Sequence, residues 1–232
     1  MSKILVTGGA QGLGACISHT LIEAGHDVIV YDLIGGHDVL KPEMSSRLLR
    51  EAGKPFDILI NNAALNGINW LEDVPEEQFD AIMSVNVKGI FKMSQYLLSQ
   101  LTQTKGTILN ITSNAAHNPM RCSLAYNCSK AASEMATKQL ARELTIKNGI
   151  TVFGVAPNKL ADTEMSRGVG GIDDQVMATR GWTAAEAMKY QLDGLITKKE
   201  TNPKMVAEFI AFLLQDKEHH FSLSGCTLNY GL

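Results

Sequence analysis

The sequence predicts an α/β fold, a doubly wound parallel β-sheet with helices on both faces. Three observations carry this reading. Short apolar runs rich in β-branched residues alternate with stretches of helical period along the chain. A glycine-rich turn joins the first such run to the first helix. No repeat or linker divides the 232 residues, which are enough to bury one core, so a single domain spanning 1–232 is expected.

In chain order, the predicted strands are Lys3–Thr7, Asp27–Tyr31, Ile58–Asn61, Gly106–Ile111, Ile150–Val155 and Cys226–Asn229. Helices are predicted at Gly12–Ala24, Met44–Ala52, Pro75–Gln100, Ala125–Lys147 and Pro203–Gln215. Gly25 and Gly149 sit where a left-handed residue closes a helix, and Pro75 and Pro203 suit first turns.

Two stretches break the alternation. Between Leu33 and Phe56 only twenty-four residues are available, and Asp38-Val39 follows Asp32 after five. A parallel crossover needs about a dozen residues, so no full helix is expected between Leu33 and Pro42, and Asp38-Val39 forms at most a stub of strand. The segment 158–201 is polar, carries Gly168, Gly170 and Gly171, and is helical only in patches such as Thr183–Gln191. It reads as a mobile lid over a binding site with too little apolar surface to pin it, hinged on those glycines. Its Met165, Met177 and Met188 are expected to pack within the lid. Leu65, Asn66, His117 and Asn118 are expected to shape a substrate pocket beneath it.

Charge and composition exclude several functions. Lys and Arg total 21 against 24 Asp and Glu, a net charge of −3 without long runs, which disfavours nucleic acid and anionic membrane surfaces as partners. The apolar run around Ile108–Ile111 is far shorter than the roughly 20 residues of a membrane span. A strand and glycine turn fill the first fourteen residues, so no signal peptide is expected. Cys16, Cys122, Cys128 and Cys226 form no CxxC pair and read as small buried hydrophobes in a reducing, cytoplasmic protein. His19, His26, His37, His117, His219 and His220 make no metal-ligand pattern, and His219-His220 reads as a solvated loop pair. No metal is predicted. Neither a GxSxG elbow nor a GK[ST] phosphate loop is present, so hydrolase and NTPase chemistry find no support.

The turn Thr7-Gly8-Gly9-Ala10-Gln11-Gly12-Leu13-Gly14 allows a tight reversal and close backbone approach to a pyrophosphate at a helix N-terminus. Asp32 ends the next strand, eighteen residues past Gly14, where a carboxylate can accept hydrogen bonds from an adenosine ribose.

The spacing Gly8-x3-Gly12-x-Gly14 resembles the glycine motif of the short-chain dehydrogenase/reductase family, and further motifs follow in that family's order. Asn61-Asn62-Ala63-Ala64 resembles its Asn-Asn-Ala-Gly motif. Val85-Asn86-Val87, Ile111-Thr112-Ser113 and Tyr126-Asn127-Cys128-Ser129-Lys130 are similar to its segments carrying the catalytic Asn, Ser and Tyr-x-x-x-Lys. Tyr126 falls thirteen residues beyond Ser113. The resemblance covers nearly the whole chain. It departs from the family at Pro157-Asn158, where Pro-Gly is usual, at Thr163, displaced by about one residue, and at Ala64.

The resemblance implies a Rossmann-fold oxidoreductase moving a hydride between a nicotinamide cofactor and an alcohol or carbonyl. It implies Asn86, Ser113, Tyr126 and Lys130 as catalytic residues. It implies cofactor contacts from Gly8, Gln11, Gly12, Leu13, Gly14, Asp32, Leu33, Asp38, Val39, Asn62, Ala63, Ala64, Ile111, Tyr126, Lys130, Pro157 and Thr163. Asn86, by the same resemblance, holds a water linking Lys130 to solvent.

The chemistry of these residue types fits. Tyr126 and Lys130, four apart on a helix, share a face. Free tyrosine has a pKa near ~10, and an adjacent ammonium, with a positive nicotinamide ring, is expected to lower it. Tyr126 then exchanges a proton with the substrate oxygen, to which Ser113 donates. Gln11 is uncharged and no lysine or arginine follows Asp32 before Lys41, which favours NAD over NADP. Leu97, Leu98, Leu101, Met135, Leu140 and Leu144 suggest helix faces left over for a homotetramer, or a homodimer. The alternative from another class is a dinucleotide-binding sensor or scaffold that has lost the chemistry.

Overall fold

The computed structural model describes residues 1–50, 53–216 and 220–231. Six parallel strands form one sheet in the order β2-β1-β3-β4-β5-β6. They are β1 (Lys3–Thr7), β2 (Asp27–Tyr31), β3 (Ile58–Asn61), β4 (Thr107–Ile111), β5 (Thr151–Pro157) and β6 (Thr227–Tyr230). Every residue of β1, β3, β4 and β5 is buried. That is why these runs read as continuously apolar, as a sheet covered on both faces requires.

Strand alternation sorts the core into two layers. Ile4 and Val6 of β1 face α1 (Gly12–Glu23) and the C-terminal helix, which contributes Val206, Ala207 and Ile210. Leu5 faces the opposite way, toward Met93, Leu97, Leu101, Ala141 and Leu144. Leu97, Leu101 and Leu144 are therefore core residues, not the spare interface positions expected of them. Met135 stays exposed.

Between β2 and β3 the chain makes a three-residue 3-10 turn, Leu33–Gly35, and no helix of two turns before Pro42. Asp38-Val39 joins no strand among the described residues, so β2 stands at the sheet edge. The buried Tyr31 fills the gap: its phenol lies 3.1 Å from the Asp38 carbonyl and 3.1 Å from Ser45 Oγ, and His37 stacks on its ring at 5.1 Å. The helix expected at Met44–Ala52 is a 3-10 turn, Pro42–Ser45, followed by α2 (Ser46–Arg50). Glu51 and Ala52 lie outside the described residues.

The predicted helix Pro75–Gln100 is not continuous. It comprises α3 (Glu76–Met83), a π-helical turn Ser84–Lys88, and α4 (Gly89–Thr104), with the Gly89 N–H reaching Ser84 O. Pro75 precedes the helix in extended conformation. Asn86, unfavourable in a regular helix interior, sits in this widened turn, a feature frequent at functional sites. α5 (Leu124–Asn148) closes on Gly149 in the left-handed conformation, as expected.

The segment 158–201 is more helical than its composition suggested. It carries α6 (Glu164–Arg167), α7 (Ile172–Arg180) and α8 (Ala184–Asp193). Val176 and Ala187 bury against Ile68, with Met177 and Trp182 packed beside them. Lys159 bonds Asp173 at 2.8 Å, and Arg167 pairs with Glu200 at 2.5 Å and with Asp162. An apolar cluster and an ion network thus hold a segment expected to lack enough apolar surface to be pinned. α9 (Pro203–Leu213) begins with Pro203 in its first turn, as expected.

Two further expectations fail. None of the four cysteines is buried: Cys16 and Cys122 are intermediate, Cys128 and Cys226 exposed. His220 is buried rather than solvated, its ring 3.2 Å from Thr107 Oγ1 and 3.2 Å from the Leu213 carbonyl. His219 lies outside the described residues.

Candidate active site

β1 pairs with β2 on one side and with β3 on the other, so the chain reverses its winding direction at β1. Such a switch point opens a crevice at the carboxyl ends of the strands. Here it is a cavity of about 560 Å³, reaching from Asp32 to Ser113, Tyr126 and Lys130.

The glycine turn forms the floor. Gly8 has φ +62° and lies so close to Ala63 that a Cβ would sit 2.8 Å from its Cα. At Gly14 a Cβ would sit 1.9 Å from Gly8 O, so helix and turn can approach only as glycine. Asn62 clamps the same turn: its Nδ2 donates to Thr7 O at 3.1 Å and Gly8 O at 2.9 Å. Thr7 Oγ1 accepts from the N–H groups of Asn62 and Ala63 at 3.0 and 3.1 Å. Asn62 and Ala63, which follow β3 directly, are thus tied to the turn.

Asp32 is buried, and each carboxylate oxygen accepts one backbone N–H at 3.0 Å, from Ala10 and from Ile34. A carboxylate offers about four lone-pair sites, so acceptor capacity remains toward the cavity. Every residue the resemblance assigned to the cofactor lines this cavity, Asp38, Val39, Pro157 and Thr163 included. Tyr31, Ile34, His37, Leu160, Glu164 and Met165 line it too. Sequence reasoning gave these no cofactor role. His37 and Tyr31 enter because the shortened stretch folds back over the edge strand, and no spacing motif signals that.

At the far end, Lys130 is buried and its Nζ donates to Ile111 O at 3.0 Å. The ammonium lies 5.6 Å from the centroid of the Tyr126 ring. Burial lowers Lys130 to about 8. Burial also pushes the Tyr126 phenol above its ordinary value, partly offset by a hydrogen bond with Ser113. Removal of water thus sets the direction of the Tyr126 shift in the chain by itself. Ser113 Oγ accepts from Ala115 N at 3.2 Å, which fixes it at the end of β4.

Asn86 does not line the cavity but stands behind it, buried. Its Nδ2 donates to Ser129 Oγ at 2.8 Å, and Ser129 Oγ donates to Tyr126 O at 2.8 Å. Ser129 was not singled out from the sequence, since only its contact across the helices marks it. Of the four residues expected to shape the substrate pocket, Leu65 lines the cavity, whereas Asn66, His117 and Asn118 do not. His117 instead pairs with Glu134 at 2.6 Å. Met165 faces the cavity while Met177 packs in the small cluster of the segment.

Comparison with known proteins agrees with this arrangement. The family model for short chain dehydrogenases matches residues 36–171. An L-2,3-butanediol dehydrogenase of Corynebacterium glutamicum is 30% identical, covering 95% of this chain and 94% of its own. A 2,3-dihydro-2,3-dihydroxybenzoate dehydrogenase of Bacillus subtilis is 27% identical over 97% of this chain and 94% of its own. Among solved structures, an actinorhodin polyketide ketoreductase with NADPH superposes with a TM-score of 0.85 at 24% identity, covering 98% of this chain and 95% of that one. With a family model over more than half its length and a 30% identical relative along nearly all of it, this chain belongs to the short-chain dehydrogenase family of oxidoreductases.

Proposed function

We propose that the chain binds NAD in preference to NADP and transfers a hydride between it and an alcohol or carbonyl, with Tyr126 as general acid and base. The observation carrying this is the convergence of Ser113, Tyr126 and Lys130 on one end of a cavity whose other end is Asp32. The glycine turn fits a dinucleotide, because Gly8 and Gly14 let the turn, the helix N-terminus and Ala63 pack closely enough to leave a bare backbone floor to the cavity. When bound, the nicotinamide supplies hydride acceptance or donation at carbon.

The protein's own part is positioning and proton movement. Ser113 and Tyr126 donate to the substrate oxygen, and Tyr126 exchanges the proton that balances the hydride. A cationic neighbour joining Lys130 favours the tyrosinate that burial alone opposes. Asn86 holds the wall behind them and, in the family pattern, a water between Lys130 and solvent. Against the sensor reading stands the convergence of Ser113, Tyr126 and Lys130 on the cavity, with Asn86 buried behind them.

The preference for NAD rests on charge. The charged residues lining the cavity are Asp32, Asp38, Glu164 and Lys130, and none at the Asp32 end is a cation. We assign the protein to the cytoplasm on its free cysteines. A homotetramer, or a homodimer, would cover the exposed Phe91, Met135 and Ile146 of α4 and α5. The segment 158–201 is taken to close over substrate as one body. Following NADH absorbance across a panel of alcohols and ketones tests the central reading, with Tyr126→Phe as the control that must lose turnover.

A further inference from the structure

Resting on that reading, the cavity also narrows the substrate. Its polar groups can be accounted for one by one. Asn158 is buried, and both ends of its amide are taken: Nδ2 donates to Gly231 O, and Oδ1 accepts from Thr201 Oγ1 at 2.6 Å. Thr163 Oγ1 caps α6, 3.2 Å from Ser166 N, and lies 2.9 Å from Ser166 Oγ. Thr112 Oγ1 donates to Val155 O at 3.2 Å. Gln11 and His37 belong to the glycine turn and the Asp32 end. What remains beside the reacting oxygen is Ser113 and Tyr126, both aimed at that one oxygen, and the apolar walls Leu65, Leu160 and Met165.

Charge points the same way. Lys130 is the one cation among the lining residues, and its Nζ donates beneath Tyr126 to Ile111 O. None of the basic residues of the adjoining segment lines the cavity, and Arg180 stacks against Trp70, Trp182 and Tyr190. Lys159 bonds Asp173 and Glu200, and Arg167 pairs with Glu200 and Asp162. Glu164 adds a carboxylate over Gly12, where a Cβ would lie 3.4 Å from Oε2. A carboxylate or phosphate on the substrate would lose its hydration with no counter-ion to replace it. Extra hydroxyls set against Leu65, Leu160 and Met165 would be buried without partners, which discriminates more strongly than a missing methylene does.

We infer that the substrate is an uncharged ketone or secondary alcohol with a single reacting oxygen and hydrocarbon substituents. Sugars, hydroxy acids and phosphorylated polyols are excluded by the same walls.

The test compares matched skeletons with NADH: 2-hexanone against 5-oxohexanoate, and 2-butanone against erythrulose. The expected result is kcat/KM at least ~100-fold lower for 5-oxohexanoate and ~10-fold lower for erythrulose, each against its neutral partner. From 2-butanone to 2-hexanone the value should rise about fourfold per methylene. Met165→Arg, which adds a counter-ion to the wall, should raise 5-oxohexanoate relative to 2-hexanone by about tenfold. Equal or faster turnover of 5-oxohexanoate or erythrulose by the wild-type enzyme overturns the inference, as does a folded Met165→Arg variant with no relative gain. Turnover of any of the four sustains the dehydrogenase reading whichever way the preference falls. No turnover of any of them, with NADH binding shown by fluorescence titration, overturns both.

Discussion

Asn86 and Leu65 are joined by two hydrogen bonds: Leu65 N donates to Asn86 Oδ1 at 2.7 Å, and Asn86 Nδ2 donates to Leu65 O at 2.9 Å. The amide thus pairs with backbone as a neighbouring strand would, and it holds a cavity wall from within a π-helical turn. Asn86→Asp keeps the shape but sets a carboxylate oxygen against Leu65 O. We expect a loss of about 2–3 kcal/mol in stability, because a buried charged acceptor then faces a carbonyl without a proton between them. Chemical denaturation compared with Asn86→Ala checks this: the Ala variant should lose less.

Tyr126→Phe should leave the fold and NADH binding intact while lowering kcat by roughly 10²–10⁴-fold, the range of general acid–base catalysis. Ser113→Ala should retain more activity, since Tyr126 still donates to the same oxygen. A Tyr126→Phe enzyme with near wild-type kcat would remove Tyr126 from the mechanism.

Lys130 is held at about 8 in the folded chain by burial, against roughly 10.4 when unfolded. Its folded pKa is lowered, so the unfolded state binds more protons between those two values. Stability therefore rises with pH from about 8 to about 10 and is lowest, as far as Lys130 contributes, below pH 8. The full span is on the order of 3 kcal/mol at most. Unfolding midpoints measured along that interval should climb in the wild type and stay flatter in Lys130→Met.

Asp32→Ala should erase most of the preference for NADH over NADPH, expected at one to two orders of magnitude, or ~1.4–2.8 kcal/mol. It also removes the acceptors for Ala10 N and Ile34 N, so Asp32→Asn, which keeps an acceptor, separates loop support from charge. Titrations with both cofactors at equal ionic strength decide it. An unchanged preference in both variants would show that Asp32 does not set the choice.

Gly14→Ala places a methyl 1.9 Å from Gly8 O, a clash with backbone that no rotamer relieves. Moving the turn costs about 1–3 kcal/mol or more, and it spoils the cradle. Calorimetry should show a lower melting temperature together with loss of the stabilisation by NADH.

Residue order alone determined the parallel sheet, the glycine turn after β1, the acid ending β2 and the register of Ser113, Tyr126 and Lys130. The sheet, the turn and the acid are local consequences of chain length, strand period and turn chemistry, whereas Ser113, Tyr126 and Lys130 were legible through their resemblance to the family's motifs. The absence of a helix between Leu33 and Pro42 was legible from chain length, as too few residues remained to build one.

The tertiary structure decided what depends on contacts between distant segments. The π-helical turn at Asn86 forms where its side chain meets Leu65 and Ser129, which no helical period anticipates. The core positions of Leu97, Leu101 and Leu144 follow from which helix face meets the sheet. The packing of segment 158–201 comes from Ile68 and from ion pairs between residues far apart in sequence. The direction of the Tyr126 shift, too, rests on how completely the fold removes water from it. Burial is a property of the assembled chain, so polar composition could not foretell any of these.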